Sequence, residues 1–232
     1  MKLKTWFLSS AFTASLLMAP MLVTAGPVIG GTRVIYNAEK KETSISIKNA
    51  GNDGVYLIQS WIDAGEKSSA GKVPFIVTPP LFRMDPGDEN ILRIVYTGHN
   101  LPNDRESVFW LNVKSIPALD STTQDDNLLQ VIIKSRIKLF YRPTNLPGKS
   151  VESFKKIEFS RLGNVLKINN PTPYFISFHS LKVAGKEIDG MHMISPKMSE
   201  SYPLPVSSDV IKVSWQTIND YGGMSPLQEK TL

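Results

Sequence analysis

The sequence has no cysteine and only three histidines, His99, His179 and His192. Without cysteine, the chain can form no disulfide, no thiol nucleophile and no thiolate metal site. The histidines do not stand at the spacing of a metal-binding pair, so we expect each of them on the surface or in a loop. These absences predict a protein without a metal ion or a cofactor. A chain of this length can bury enough apolar surface to fold without disulfides.

Motifs of nucleotide binding and hydrolysis are also absent. The Gly30-Gly31 pair is not followed by a helical pattern and belongs to neither a G-x-G-x-x-G nor a Walker motif. No G-x-S-x-G motif occurs, and we expect the carboxylates of Asp125 and Asp126 to be solvated in their polar loop. The net charge of +5 is too small and too dispersed to indicate nucleic-acid binding. The sequence therefore predicts that the protein is not an enzyme and does not bind nucleic acid.

The first 25 residues have the features of a secretory signal peptide. Lys2 and Lys4 precede a mostly apolar run over residues 6–23, and small residues follow it up to Ala25. This pattern predicts export, with cleavage after Ala25. A membrane anchor is the alternative, but serines, threonines and a proline interrupt the run, and a spanning helix needs about 20 consecutive apolar residues. We therefore expect no insertion into the membrane.

The rest of the chain has the pattern of short β-strands separated by polar turns. Residues 43–48 alternate between polar and apolar side chains, and residues 91–96 and 108–113 are rich in β-branched and aromatic residues. Strands at this spacing are typical of an all-β sandwich. Further strands are predicted at residues 154–159, 165–168, 174–181 and 210–216.

A segment rich in proline and glycine interrupts the strand pattern at residues 142–148. It follows the long run that ends at Tyr141, and strand signals resume beyond it. The sequence therefore predicts two domains, residues 26–142 and 149–232. A single continuous sandwich with a proline-rich loop is the alternative.

Four segments resemble the signature motifs of periplasmic pilus-assembly chaperones, in that family's order and spacing. The most specific lies within residues 101–117, where Asp-Arg-Glu-Ser is followed by an aromatic residue and then by N-x-x-x-I-P. The others are residues 32–36, 137–143 and 219–223. The resemblance covers essentially the whole chain after the signal peptide.

This resemblance implies an all-β protein of two immunoglobulin-like β-sandwich domains in a boomerang arrangement, with a cleft between them. Such a periplasmic chaperone binds, folds and caps pilus (fimbrial) subunits by donor-strand complementation, and delivers them to the outer-membrane usher. The connection from Pro117 to Leu128 is short, as in the subgroup with a short loop before the donor strand. That subgroup usually serves rod-like pili.

Residues 128–134 form the candidate donor strand. In an extended chain Leu129, Val131 and Ile133 point to one face. Alternation alone favours packing in the chain's own core, because apolar residues continue this face further along. The resemblance implies instead that the three side chains fill a groove in a pilus subunit. An exposed apolar strand of this kind also predicts a weak dimer of the free protein.

Two cations match the family residues that anchor the C-terminal carboxylate of a subunit. They are Arg33 and Lys138, and charge-assisted bonds to a carboxylate are among the strong hydrogen bonds of proteins. Lys138 has the opposite strand parity to Leu129. The sequence leaves open whether a bulge redirects Lys138 or whether it reaches the cleft from the other face.

Glu106, Arg142 and Asp220 match family residues that form an ion network between the two domains. Exposed surface pairs with little effect on stability are the alternative. Two other functions also stay open: a periplasmic hydrolase, which would need a converging set of catalytic groups, and a carbohydrate-binding fimbrial adhesin. An adhesin subunit would itself need a donor strand and would normally contain a pair of cysteines.

Overall fold

The computed structural model describes residues 26–51, 54–65, 73–98, 101–119, 129–190, 193–205 and 210–232. The predicted signal peptide and its cleavage site lie outside these residues, and so does Leu128. In the described part of the chain, no helix is both long and apolar enough to cross a membrane.

The first domain is a sandwich of two sheets. Its strands are β1 (Pro27–Ile29), β2 (Arg33–Asn37), β3 (Glu42–Asn49), β4 (Tyr56–Asp63), β5 (Phe75–Thr78), β6 (Leu81–Met84), β7 (Glu89–Tyr96), β8 (Ser107–Pro117) and β9 (Ile133–Arg142). One sheet has the strand order β1-β3-β7-β5, and the other has the order β2-β9-β8-β4-β6. The predicted strands at residues 43–48, 91–96 and 108–113 fall within β3, β7 and β8.

Alternation of side chains explains why these strands form a sandwich. Ile45 on β3 lies opposite Leu92 on β7, and both are buried. On the facing sheet, Leu111 of β8 and Leu139 of β9 are fully buried. Because successive residues of a strand point to opposite faces, the residues between them are left on the outer surfaces.

The N-terminal segment crosses from one sheet to the other. Strand β1 pairs with β3, and after three residues β2 joins the second sheet beside β9. Gly30 lies at the crossing, where a β-carbon would collide with the hydroxyl of Ser46. The pairing of β2 with β9 is parallel, and every other strand pairing among the described residues is antiparallel.

The second domain begins with a 3₁₀ helix, Ser150–Lys156. Its strands are β10 (Glu158–Leu162), β11 (Val165–Asn170), β12 (Ile176–Val183), β13 (Lys186–Glu187), β14 (Met193–Ile194), β15 (Met198–Pro203), β16 (Lys212–Thr217) and β17 (Gln228–Thr231). They form a sheet of order β10-β11-β15 and a sheet of order β13-β12-β16-β17, with β14 also paired to β12. Each domain has its own cluster of buried apolar residues.

The predicted strand at residues 154–159 is wrong for its first part, which is helical. Phe154, Ile157 and Phe159 are all buried. The step of three residues from Phe154 to Ile157 fits a helical turn, and the step of two to Phe159 fits the start of β10. The predicted fold class, all-β with two immunoglobulin-like sandwich domains, is confirmed.

Candidate functional site

The two domains meet where β2 and β9 of the first face β12 and β16 of the second. An open pocket lies there, and its lining includes Arg33, Phe140, Phe175, Ile218 and Asp220. The rings of Phe140 and Phe175, one from each domain, lie 5.6 Å apart between centroids. We call this region the cleft.

Arg33 and Lys138 lie side by side at the cleft, because they are register partners on the parallel strands β2 and β9. Arg33 donates a hydrogen bond from Nη1 to the carbonyl oxygen of Ile218, 3.2 Å away in the second domain. Its Nε is buried, and no hydrogen-bond acceptor among the described residues reaches it. We call Arg33 and Lys138 the anchor pair.

Lys138 points into the same cleft and reaches the second domain. Its Nζ donates to the hydroxyl of Ser177, 3.3 Å away. Burial, together with the neighbouring charge of Arg33, lowers the pKa of Lys138 to about 8. Among the residues that the structure describes, neither member of the anchor pair forms a salt bridge. The anchor pair therefore has unused capacity for an anion.

Glu106, Arg142 and Asp220, the three residues of the predicted ion network, come together in the same cleft. Arg142 donates from Nε to Glu106 at 2.6 Å, and from Nη1 and Nη2 to the two carboxylate oxygens of Asp220 at 2.7 and 2.8 Å. Ser150 accepts a further bond from Arg142 at 3.1 Å and donates to Asp220 at 3.0 Å. Since Glu106 belongs to the first domain and Asp220 to the second, the interdomain network connects the two.

Backbone groups complete the interdomain network. The amide of Phe175 donates to the second oxygen of Glu106 at 2.8 Å, and the amide of Glu106 donates to the carbonyl of Pro173 at 2.9 Å. Burial raises the pKa of Glu106 in spite of these partners. Burial acts the same way on Asp220, but the hydrogen bonds and charge of Arg142 outweigh it and lower the pKa of Asp220.

The domains also approach closely at Gly222, which has a φ of +84°. A β-carbon at this position would lie 2.6 Å from Oγ1 of Thr32, on the chain just before the anchor arginine. Glycine alone meets both requirements, because it tolerates positive φ and adds no side chain. The motif at residues 219–223 thus brings the second domain against the start of β2.

The three candidate donor residues are exposed and lie outside both apolar clusters. Leu129, Val131 and Ile133 expose 88%, 64% and 54% of their surface, whereas Leu139 further along the same strand exposes none. Strand β9 begins only at Ile133, so Leu129 and Val131 precede it. Leu129, Val131 and Ile133 lie on the same side of the extended chain as Leu139. That side is buried at Leu139 and exposed to solvent at residues 129–133.

One edge of β9 is also open over half its length. On one side β8 pairs with β9 from Ile133 to Tyr141, but on the other side β2 pairs only from Lys138 to Arg142. Along residues 133–137, no described strand lies against that second edge. Unpaired edges of this kind accept an added strand.

The register of β8 and β9 shows how Lys138 reaches the cleft although its strand parity is opposite to that of Leu129. The pairing runs without a shift, so no bulge redirects Lys138. Lys138 reaches the cleft from the face opposite to Ile133. This outer face also carries Trp110, which lies opposite Lys138 on β8, and Asp63, which lies opposite Trp110 on β4.

Sequence reasoning missed several residues of the cleft and of the outer face. Ser150, Phe175 and Ser177 contact the predicted residues, but they lie in stretches without a distinctive motif. Asp63 and Arg136 form an ion pair of 2.7 Å across β8. Their alternating positions within strands were visible in the sequence, but their pairing depends on which strands are neighbours.

Two family models match this chain. The model described as "Pili and flagellar-assembly chaperone, PapD N-terminal domain" matches residues 26–147, and the one described as "Pili assembly chaperone PapD, C-terminal domain" matches residues 152–229. The boundary between the two matches lies in the proline- and glycine-rich segment and the start of the 3₁₀ helix.

Individual proteins are similar along nearly the whole chain. A probable fimbrial chaperone, LpfB of Escherichia coli O157:H7, is 40% identical over 223 residues, which cover 96% of this chain and 95% of LpfB. The crystal structure of the E. coli chaperone DraB is 40% identical, with a TM-score of 0.76, covering 88% of this chain and 95% of DraB. The Salmonella enterica SafB chaperone, solved in complex with the SafA pilin, is 33% identical with a TM-score of 0.79, covering 89% and 96%.

Proposed function

The chain belongs to the family of pilus-assembly chaperones, and we propose that it captures pilus subunits by adding its own β9 edge to them. The observation that carries this proposal is the position of the anchor pair. Two cations that form no salt bridge with any described residue lie at the point where the open edge of β9 ends and β2 begins.

A chain terminus fits this arrangement better than an internal segment does. The carboxylate of a terminus would lie between Arg33 and Lys138, where it would supply the salt bridge that neither forms with a described residue. Each charge-assisted hydrogen bond of this kind contributes about 1.5–3 kcal/mol. A neutral backbone carbonyl would give neither cation a direct ion pair, and its hydrogen bonds would be weaker than those of a carboxylate.

The position of the carboxylate also sets the direction of the captured strand. The open edge covers residues 133–137, and the anchor pair lies at its C-terminal end. A subunit strand that ends at the anchor pair therefore runs in the same direction as β9. It would lie end to end with β2, which is also parallel to β9.

The exposed donor residues supply the apolar part of the interaction. A pilus subunit that lacks its last strand has an open apolar groove and unpaired strand edges, and such a surface aggregates. Leu129, Val131 and Ile133 are exposed and aliphatic, and burial of each in the groove would contribute about 1.5–3 kcal/mol. The carboxylate fixes the register, and the aliphatic side chains then enter the groove at defined positions.

The interdomain network supports this function by holding the cleft. Arg142, Glu106 and Asp220 are satisfied by each other and by backbone groups, so they have little capacity left for a ligand. Their role is to fix the second domain, which carries Ile218 and Ser177, against the anchor pair.

Further properties follow from the family. We expect the protein to work in the periplasm after cleavage of the signal peptide, to catalyse no reaction, and to pass its subunits to an outer-membrane usher. We also expect a weak dimer of the free protein through the exposed donor residues. Relatives at about 40% identity are named fimbrial chaperones, which favours this function over the adhesin alternative.

Co-expression in the periplasm tests the proposal. A pilus subunit expressed with the chaperone should be recovered as a one-to-one complex, and should be degraded or aggregated without it. The matched control is the same subunit extended by two glycines at its C-terminus, which displaces the carboxylate from the anchor pair. Equal recovery of the extended subunit would contradict the anchor, and subunit recovery that does not depend on the chaperone would contradict the function.

A further inference from the structure

Alternating side chains protect a captured strand from some errors of register but not from others. A slip by one residue turns every side chain to the opposite face, so the apolar groove rejects it. A slip by two residues keeps each side chain on its original face. The error of two residues must therefore be prevented by the position at which the carboxylate is held.

The outer face of β9 offers more than one cation for that carboxylate. Lys138, Arg136 and Lys134 occupy alternate positions of the strand and point to the same side. Successive members lie about 7 Å apart along the strand. A carboxylate bound at Arg136 instead of Lys138 would shift the captured strand by two residues toward the N-terminal end of β9.

Side chains of β8 and β4 hold Arg136 away from the open edge. Its Nη2 donates to Asp63 at 2.7 Å, and its guanidinium lies over the ring of Trp110, 4.5 Å from the centroid. Asp63 lies on β4 and Trp110 on β8, so the side chain of Arg136 extends over β8 toward β4. This direction leads away from the edge on which a subunit strand would be added.

Asp63 is itself fixed in position. It accepts hydrogen bonds from Nδ2 of Asn112 at 2.8 Å and from the amide of Gly65 at 2.9 Å, in addition to the bond from Arg136. Asn112 is completely buried, so its amide cannot follow a moving carboxylate. The hydrogen bonds from Gly65, Arg136 and Asn112 outweigh the effect of burial and lower the pKa of Asp63, so the carboxylate stays charged at neutral pH.

Lys134 is held in a similar but weaker way. Its Nζ lies over the ring of Trp61 on β4, 5.1 Å from the centroid. Of the three cations in the row, only Lys138 points into the cleft, where Arg33 lies beside it.

We infer that Asp63 determines the register of subunit capture: it withdraws Arg136 from the open edge, so that Arg33 and Lys138 alone receive the subunit's terminal carboxylate. This inference rests on the proposed function. Asp63 is a positioning residue that acts through Arg136 and does not touch the subunit.

A cross-linking experiment measures the register directly. The chain has no cysteine of its own, so Ser135→Cys introduces a single thiol on β9, within the open edge. The probe is a short synthetic peptide of alternating valine and threonine with a free C-terminal carboxylate. A series of such peptides carries one cysteine at successive alternate positions, and the position that forms the disulfide reports the register.

In the Ser135→Cys protein we expect one peptide position to dominate. Adding Asp63→Asn should increase the product whose cysteine lies two residues nearer the peptide's C-terminus by about tenfold, since a newly available guanidinium competes for the carboxylate. Adding Arg136→Gln to Asp63→Asn should restore the single register, and Asp63→Glu should preserve it. Asp85→Asn breaks an exposed pair with Arg83 of the same 2.7 Å length and is the matched control.

The outcomes separate the inference from the function on which it rests. If the starting protein binds the free peptide no better than its C-terminal amide, the proposed anchor is contradicted and the inference with it. If the carboxylate is required but Asp63→Asn keeps a single register, the inference alone is contradicted. Thermal melts of each variant establish that it is folded, and Asp63→Glu tests the role of the charge should Asp63→Asn unfold.

Discussion

Two groups of charged side chains lie in the same cleft and differ in how completely they are neutralised. Arg142 of the interdomain network has two carboxylates and a serine as partners, and its guanidinium is largely buried. Arg33 of the anchor pair has one carbonyl oxygen, a cationic neighbour and a buried Nε without an acceptor among the described residues. The first group has little capacity left for a ligand, and the second forms no salt bridge with a described residue.

Because of this difference, we expect the interdomain network to contribute mainly to stability and the anchor pair mainly to binding. A buried charge with all its partners resists change, because removal of one partner leaves the others unpaired. A partly buried cation without a direct ion pair costs free energy in the free protein, and an anion that binds to it offsets part of that cost. Substitutions in the two groups should therefore affect different measurements.

The largest effect should come from a charge placed in the candidate donor strand, outside both groups of charged residues. Val131→Glu puts a carboxylate into the subunit's apolar groove, which should cost more than about 3 kcal/mol and abolish capture. Because Val131 is 64% exposed, the urea midpoint of the free protein should scarcely change. Urea unfolding and subunit recovery from the periplasm measure the two quantities side by side.

Ile132→Glu is the control for this substitution, since Ile132 is also exposed but has the opposite strand parity. It should reduce capture less than Val131→Glu does. A large drop in the urea midpoint of Val131→Glu would show that the side chain packs in the chaperone's own fold. If the free protein dimerises through its donor residues, Val131→Glu should also make it monomeric in analytical ultracentrifugation.

The interdomain network should respond through stability. Asp220→Ala leaves Arg142 buried with one carboxylate, and we expect it to lower the free energy of unfolding by about 3 kcal/mol. This is the lower end of the range for buried pairs, because 21% of the Asp220 side chain is exposed. Asp85→Ala, which breaks the exposed pair with Arg83, should cost less than about 1 kcal/mol. Equal urea midpoints for the two variants would mean that the network does not stabilise the protein.

The anchor pair should respond through binding. Arg33→Ala or Lys138→Ala removes a charge-assisted bond to the carboxylate, and each should weaken capture by roughly 10- to 150-fold. The fold should lose less than in Asp220→Ala, because neither cation forms a salt bridge with a described residue. Titration of a subunit's C-terminal peptide, alongside thermal melts, tests this separation. Normal affinity in both variants would rule out the anchor.

The last effect concerns pH, and it has opposite signs for stability and for binding. The pKa of Lys138 is lowered to about 8 in the folded protein, from an ordinary value of 10.5. Between these values the unfolded chain binds more protons at this site, so the contribution of Lys138 to the free energy of unfolding rises with pH. That contribution is lost as the pH falls through about 8. Affinity for a carboxylate should instead decline above about pH 8, because the lysine loses its charge.

Lys138→Met, which removes the charge but keeps a long side chain, isolates this contribution from other groups that titrate at alkaline pH. The difference in urea midpoint between the two proteins should change over this pH range. A constant difference, with affinity also independent of pH, would show that Lys138 does not titrate there.

Much of the fold could be predicted from local patterns, and the site could not. The alternation of residues 43–48 and the β-branched run at 108–113 identify β3 and β8 because side-chain period is a local property. The adjacency of Arg33 and Lys138 depends on a parallel pairing of strands far apart in sequence. Only the resemblance to a family connected those two residues, and it carried no information about Asp63, which lies outside the matched motifs.

The parallel pairing of β2 with β9 has a consequence for what the protein can distinguish. Strand β2 already occupies the part of the β9 edge that begins at Lys138. A polypeptide added along residues 133–137 can advance no further than the start of β2, so any chain that continued past the anchor pair would have to leave the sheet. In the proposed mode of capture, a polypeptide that ends at the anchor pair would therefore fit the open edge of β9, and one that continues past this point would not.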